Sequence, residues 1–312
     1  MTISINTLKK SRDQLDRLSK EIEKANKPRE EFKSDDRFWR AKTDKAGNGY
    51  AVIRFLPGAP VDGEEALPWV KYFRHGFLGP TGKWYIENSL TTLGQEDPVS
   101  KLNSALWKTE DKDYQKIASA QKRKLTYVSN IYVVSDPASP ENEGKVFLFQ
   151  YGQKIFDKID EAMFPPFPDK AKFDPFNLWT GANFLLKIRT VAKYLNYDLS
   201  NFAPLTPLSD DEAELEVIWN KEHSLKDFVA PDKFKTYEVL KKNLDAAIGC
   251  DTDSDEVFGA YSKTPNRAAK AAQAEVSTTK KMVTEAVKSK VVEPDDSDDE
   301  ATLDYFKALA DD

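Results

Sequence analysis

Six short stretches set the tightest limit on what this chain can fold into: "YAVIRFL", "WVKYF", "KWYIE", "TYVSNIYVV", "KVFLFQYG" and "NFLLKIRTV". Each is rich in β-branched and aromatic residues, and each is too short for a typical helix. The first is entered through the turn former "GNG" and left through "PG". A polar loop, "SDPASPENEG", separates the fourth from the fifth. The pattern predicts at least five strands joined by long excursions. Helices are predicted at "QKIFDKIDEAM", at "DDEAELEVIWNKEHSLKDF" and at "PDKFKTYEVLKKNLDAAIG", the last with Pro231 near its start and Gly249 at its end. The expected class is mainly β with helical excursions (α+β). The expected core, over residues 30–250, is a Greek-key barrel such as the OB-fold.

The flanks have a different character. Residues 1–29 hold eight basic and four acidic side chains, and residues 293–312 hold nine acidic ones and one Lys. A basic head and an acidic tail on one chain point to a polyanion partner and a tail that competes with it. Ile5, Leu8, Leu15, Leu18 and Ile22 fall near helical spacing before Pro28. They predict either a short surface helix or a detachable arm that docks on a neighbour. Residues 251–292, rich in Ala, Lys, Ser, Thr and Asp, are expected to be a flexible linker. Leu303, Phe306 and Leu309 can share one face of a short helix formed on binding a partner.

Little points to catalysis. There is no glycine-rich phosphate loop and no Gly-x-Ser-x-Gly. The only histidines are His75 and His223, and His223 is expected on a solvated helix. Acidic pairs such as Asp35-Asp36 and Asp210-Asp211 arise freely in a chain with 31% charged residues. One cysteine, Cys250, excludes a disulfide framework and a Cys-rich zinc site, and fits a reducing cytoplasm. The first residues lack the apolar core of a signal peptide, and no apolar run is long enough to span a bilayer.

Cations and aromatic rings instead recur together. Lys71 and Arg74 stand among Tyr72, Phe73 and Phe77. Lys83 stands beside Trp84 and Tyr85. Lys122, Arg123 and Lys124 precede Tyr127. Lys187, Arg189 and Lys193 lie near Tyr194 and Tyr197. Bases stack on exposed rings while cations follow phosphates, so this interleaving suits a single-stranded nucleic acid. On "GKWYIE" the alternation predicts Trp84 and Ile86 inward, with Lys83, Tyr85 and Glu87 outward. A metal-dependent nuclease or other DNA-processing enzyme, and an RNA-binding or scaffold protein, are the alternatives.

"AGNGYAVIRFLP", "HGF" followed by "GKWYIE", "KRK" followed by "NIYVVSDPASPENEGKVF", "KIFDKI", "GANFLLK" and "NYD" run in order from about residue 38 to 202. In these motifs the chain resembles the single-stranded DNA-binding proteins of T-even-type bacteriophages, the helix-destabilizing replication proteins. The resemblance implies a cooperative, sequence-nonspecific coat on single-stranded DNA in phage replication, recombination and repair, working without catalysis or cofactor in the cytoplasm of an infected bacterium. It implies that Lys9, Lys10, Ser11 and Arg12 drive self-association along DNA, and that the tail with Leu303, Phe306 and Leu309 recruits replication and recombination proteins. Lys71, Arg74, Lys83, Lys122, Arg123, Lys124, Lys187, Arg189 and Lys193 would meet DNA, mostly its phosphates. Tyr85, Trp107, Tyr114, Tyr127, Phe149, Tyr194 and Tyr197 would stack or pack on bases. Val128 stands where the family often has a further aromatic.

The resemblance also implies a zinc subdomain held by one His and three Cys. Here His75 is in place, but Ser89, Asp97 and Ser100 align with the cysteines. Residues 75–126 are therefore expected to form a zinc-less counterpart that still makes one wall of the DNA cleft, with Leu90, Leu93, Val99, Leu102, Leu106 and Trp107 as its small core.

Overall fold

Alternating side chains put Ala51, Ile53 and Phe55 on one face of a strand, Gly49–Phe55 (β2), and all three are buried. In a computed structural model of the 312-residue chain, residues 35–169, 171–191, 194–254 and 256–262 are described. Around β2 lie Phe38–Trp39 (β1), Val70–Leu78 (β3), Trp84–Asn88 (β4), Lys124–Ser135 (β5), Val146–Tyr151 (β6), Ala182–Val191 (β7), Tyr194–Asn196 (β8) and Asn201–Leu205 (β9). They form one nine-stranded sheet with the path β1-β6-β5-β2-β7-β8; β3 joins β5 to β4, and β9 pairs with β7. Among the described residues only β1 and β6 pair in parallel. The helices are Pro98–Lys108 (α1), Lys112–Ala120 (α2), Gln153–Met163 (α3), Glu212–Trp219 (α4), Tyr237–Ile248 (α5) and Glu256–Ser262 (α6). The chain is thus mixed α/β with a large sheet. Among the described residues no helix is long and apolar enough to cross a membrane.

The two largest cores follow from the pattern. The main one gathers the inward residues of β2, β5, β6 and β7 with Ile155 and Ile159 of α3. Phe55 sits at its centre, in ring contact with Phe149, Tyr151, Phe176, Phe184 and Phe202. The second joins Phe77 and Tyr85 of the β3–β4 hairpin to Val99, Leu102 and Leu106 of α1, Ala118 of α2, Leu244, Ala247 and Ile248 of α5, and Val257 of α6. Each Val, Leu, Ile or Phe among them contributes ~1.5–3 kcal/mol on leaving water. Spacings of three and four residues put the α1 and α5 sets on single helix faces.

The hairpin and the end of α5 approach without room for a side chain. A Cβ on Gly79 would lie 2.2 Å from the Ala247 carbonyl oxygen. Thr81 donates to that same carbonyl from its backbone N–H and from its hydroxyl.

Several expectations are corrected. The helix predicted over 210–228 stops at Trp219, and Leu225 turns into a small core with Tyr72, Val128 and Leu148. His223 is half-buried rather than on a solvated helix. Pro231 lies in a separate 3-10 turn, and α5 begins only after Thr236. The expected linker starts too early, because α6 lies within it and buries Val257. Leu90 and Leu93 pack with Phe234 and Leu240 rather than with α1, and Trp107 is exposed.

Candidate nucleic-acid interface

β3 is the strand that draws the basic segments together. Its first half pairs with β5 and its second half with β4. Lys71 therefore stands opposite Tyr127, Arg74 opposite Lys124, and Phe77 opposite Tyr85. The Arg123 guanidinium lies 4.3 Å from the centre of the Phe73 ring, within cation–π range. Lys71, Lys122 and Arg123 are exposed; Arg74 and Lys124 are half-buried. The Arg74 Nε is buried without a hydrogen-bond partner. Lys83 is exposed in the β3–β4 turn. Three of the four basic segments thus share one strand neighbourhood, at the passage from the main core to the second.

The fourth segment attaches through β2 instead. Lys187 on β7 stands opposite Tyr50 on β2, and Arg189 opposite Asn196 on β8. Residues paired across a ladder share a face, so Tyr50 and Lys187 lie side by side on the face turned away from Ala51 and Ile53. Tyr50 is 46% exposed, and the Lys187 Nζ donates to Asn201 Oδ1 at 3.0 Å. Tyr194 is exposed as well. Lys193 lies outside the described residues, as do Lys9, Lys10, Ser11, Arg12, Leu303, Phe306 and Leu309. Tyr50 was missed in the sequence, although period-two alternation from the buried Ala51 already sets it outward.

The aromatic set is redistributed. Tyr85 is 2% exposed and stacks on Phe77 at 5.2 Å, with its hydroxyl buried and without a partner. Tyr127 is covered by Phe156 at 4.0 Å and by Tyr151. Phe149 packs edge-on against Trp39, and Tyr197 belongs to the same core. Rings of this size bring the most stability when buried, and in the folded chain these four present no open face to a base. The alternation on β4 is inverted: Tyr85 points in and Ile86 out. Tyr114 is half-buried and donates to the Phe258 carbonyl. Of the expected rings, Trp107 and Tyr194 are open.

His75, Ser89 and Asp97 come together in a buried hydrogen-bonded cluster. The His75 Nε2 lies 3.1 Å from Asp97 Oδ1, and its Nδ1 lies 2.9 Å from the Gln121 carbonyl. Asp97 also caps α1, accepting from the Val99 and Ser100 backbone N–H groups at Oδ1. At Oδ2 it accepts from the Ser89 hydroxyl and the Leu90 N–H. Burial alone would raise its pKa. The bonds and charge of His75, with those from Ser100 and Ser89, outweigh burial and hold the carboxyl at about 2. These donors do not fit the zinc site that the motif resemblance implies. No thiolate is present, Ser100 contributes a backbone N–H, and both Asp97 oxygens are taken. Among the described residues no three His, Cys, Asp or Glu side chains are grouped to hold a metal ion.

The family model described as "gp32 DNA binding protein like" matches residues 47–248, more than half of the chain. The chain belongs to the gp32-like DNA-binding family. Over 226 residues it is 40% identical to the single-stranded DNA-binding protein of Enterobacteria phage T2, covering 70% of this chain and 72% of that protein. Identity and coverage are the same for the protein of that name from Enterobacteria phage T4. The single-stranded DNA-binding protein of Enterobacteria phage RB70 is 43% identical over 101 residues, 31% of this chain and 80% of that protein. These relatives are named for binding, not for a reaction. The gp32-like match opens at the turn before β2 and closes at the last residue of α5, so it takes in the β3–β5 junction and the Tyr50–Lys187 pair, while α6 lies beyond it.

Proposed function

We propose that this gp32-like chain coats single-stranded DNA without sequence preference and without catalysis. The observation that carries this reading is the opposition of Arg74 and Lys124 across the β3–β5 ladder, flanked by exposed Lys122 and Arg123. Four cations gathered at one junction can follow a phosphate backbone together. The names of the T2 and T4 relatives support the same conclusion.

In this reading the basic junction and the Tyr50–Lys187 face track the strand, and the open rings of Tyr50, Trp107 and Tyr194 receive bases. The sheet serves as an OB-type platform, and the lobe of α1, α2, α5 and α6 as the opposite wall of the cleft. Residues 1–29 carry cooperativity through Lys9, Lys10, Ser11 and Arg12. Residues 293–312 recruit partners in replication, recombination and repair. The site of action is the cytoplasm of the infected host.

The test is a competition on full-length protein between oligo(dT), the matching RNA and a duplex, read by intrinsic fluorescence. Preference for the single DNA strand is expected. Equal binding to all three, or metal-dependent cleavage of labelled DNA, would overturn the proposal.

A further inference from the structure

We propose that His75 and Asp97 form a buried ion pair that does the structural work of a metal ion and positions the Lys122–Lys124 cations for DNA. A backbone carbonyl only accepts, so the contact between His75 Nδ1 and the Gln121 oxygen requires a proton on Nδ1. The Asp97 carboxylate already receives four other donors, namely the N–H groups of Leu90, Val99 and Ser100 and the Ser89 hydroxyl. So many donors favour its charged form, and the His75 Nε2 then donates as well. The ring is an imidazolium, 1% exposed, against a carboxylate equally buried. Such a pair tolerates the loss of neither partner, because the survivor is left charged and buried.

The pair ties together segments far apart in the sequence. His75 lies on β3, Ser89 and Leu90 follow β4, and Asp97 opens α1. Gln121 immediately precedes Lys122, Arg123 and Lys124, and its side-chain amide donates to the Tyr261 hydroxyl of α6 at 2.6 Å. The basic triplet therefore leaves the helical lobe from a backbone carbonyl held by His75. Zinc would need a lone pair on a ring nitrogen, and each ring nitrogen of His75 already faces an oxygen acceptor. His75 and Asp97 are positioning residues, and this part of the inference rests on the DNA-binding reading above. The ion pair itself does not.

Nitrogen NMR of the labelled full-length chain tests the pair, with His223→Gln assigning the two histidines. Both His75 ring nitrogens are expected to be protonated at neutral pH and unchanged by added zinc or by chelator. A singly protonated ring, or ring nitrogens shifted by stoichiometric zinc, would overturn the pair. Asp97→Asn tests the positioning. Its unfolding temperature should fall, and the folded variant should bind poly(dT) several-fold more weakly and with a shallower salt dependence. If that variant does not fold, the same readings come from Ser89→Ala, which removes one donor to Asp97. Unchanged affinity and salt slope in the folded variant would overturn the positioning. Wild-type protein that ignores poly(dT) would overturn the DNA reading alone, since the ring signals still decide the pair.

Discussion

Arg74 on β3 and Lys124 on β5 occupy directly opposed positions in an antiparallel ladder, beside a guanidinium, that of Arg123, lying over Phe73. The arrangement gathers cations where phosphates can meet them. Replacing Arg74 with Gln should weaken DNA binding with the chain still folded. If one phosphate contact is lost, the slope of log affinity against log salt should fall by about 0.7. Denaturant melts and a salt series on one oligonucleotide read the two effects. A destabilised variant with an unchanged slope would show that Arg74 serves the fold.

Tyr50 and Tyr85 should separate cleanly. Tyr50→Ala removes an exposed ring beside Lys187 and should cost ~1–3 kcal/mol of binding to a short oligonucleotide. Tyr85→Phe removes only a buried, unpartnered hydroxyl. It should leave DNA binding unchanged and hold or raise the melting temperature. The reverse ranking of affinities would move the stacking site to the β3–β4 hairpin.

Glu222 gives the fold a pH dependence. Both carboxylate oxygens are buried without partners. Burial, and then the negative charge of Asp62, raises its pKa from 4.5 to about 9. Between these values the folded chain keeps a proton that the unfolded chain releases. Its contribution to stability is thus fully present below 4.5 and is lost as pH rises toward 9, by up to ~1.4 kcal/mol per pH unit. Glu222→Gln should remove this slope. Urea melts at about pH 5, 6.5 and 8 should show its advantage over wild type growing with pH. A constant difference would contradict the assignment.

The two ends of the chain should act differently. Removing residues 1–20 should spare binding to a very short oligonucleotide and weaken clustered binding on a long strand. Removing residues 293–312 should strengthen binding most at low salt and steepen the salt dependence, because a tethered polyanion no longer competes with DNA. Titrations of both truncations on short and long strands distinguish an arm from a simple DNA contact.

Six of the nine strands, β2 to β7, and α3 were legible in the sequence because each depends on local pattern. "YAVIRFL" alternates cleanly, and "QKIFDKIDEAM" puts Ile155 and Ile159 four apart, both buried. Tertiary choices were less legible. Period two divides β4 into two faces but does not say which is inner, and packing by α1 and α5 gave the core to Tyr85. β9 escaped notice because its "NFAPL" carries Pro204 in an edge strand, where a missing donor is tolerated. The cations of the interface were named from sequence, yet the opposition of Arg74 to Lys124 is a matter of register between distant strands. The Asp97 cluster was visible only as missing cysteines. Its replacement by hydrogen bonds needs three strand and helix ends to meet.

The most direct measurement is a fluorescence titration of full-length protein with poly(dT) across a salt series, beside a variant with Lys122, Arg123 and Lys124 all changed to Gln. The wild type should quench strongly and lose affinity steeply with salt, and the folded variant should bind weakly with a shallower slope. Equal affinity and equal slope in the two proteins would show that the β3–β5 junction is not where this chain holds DNA.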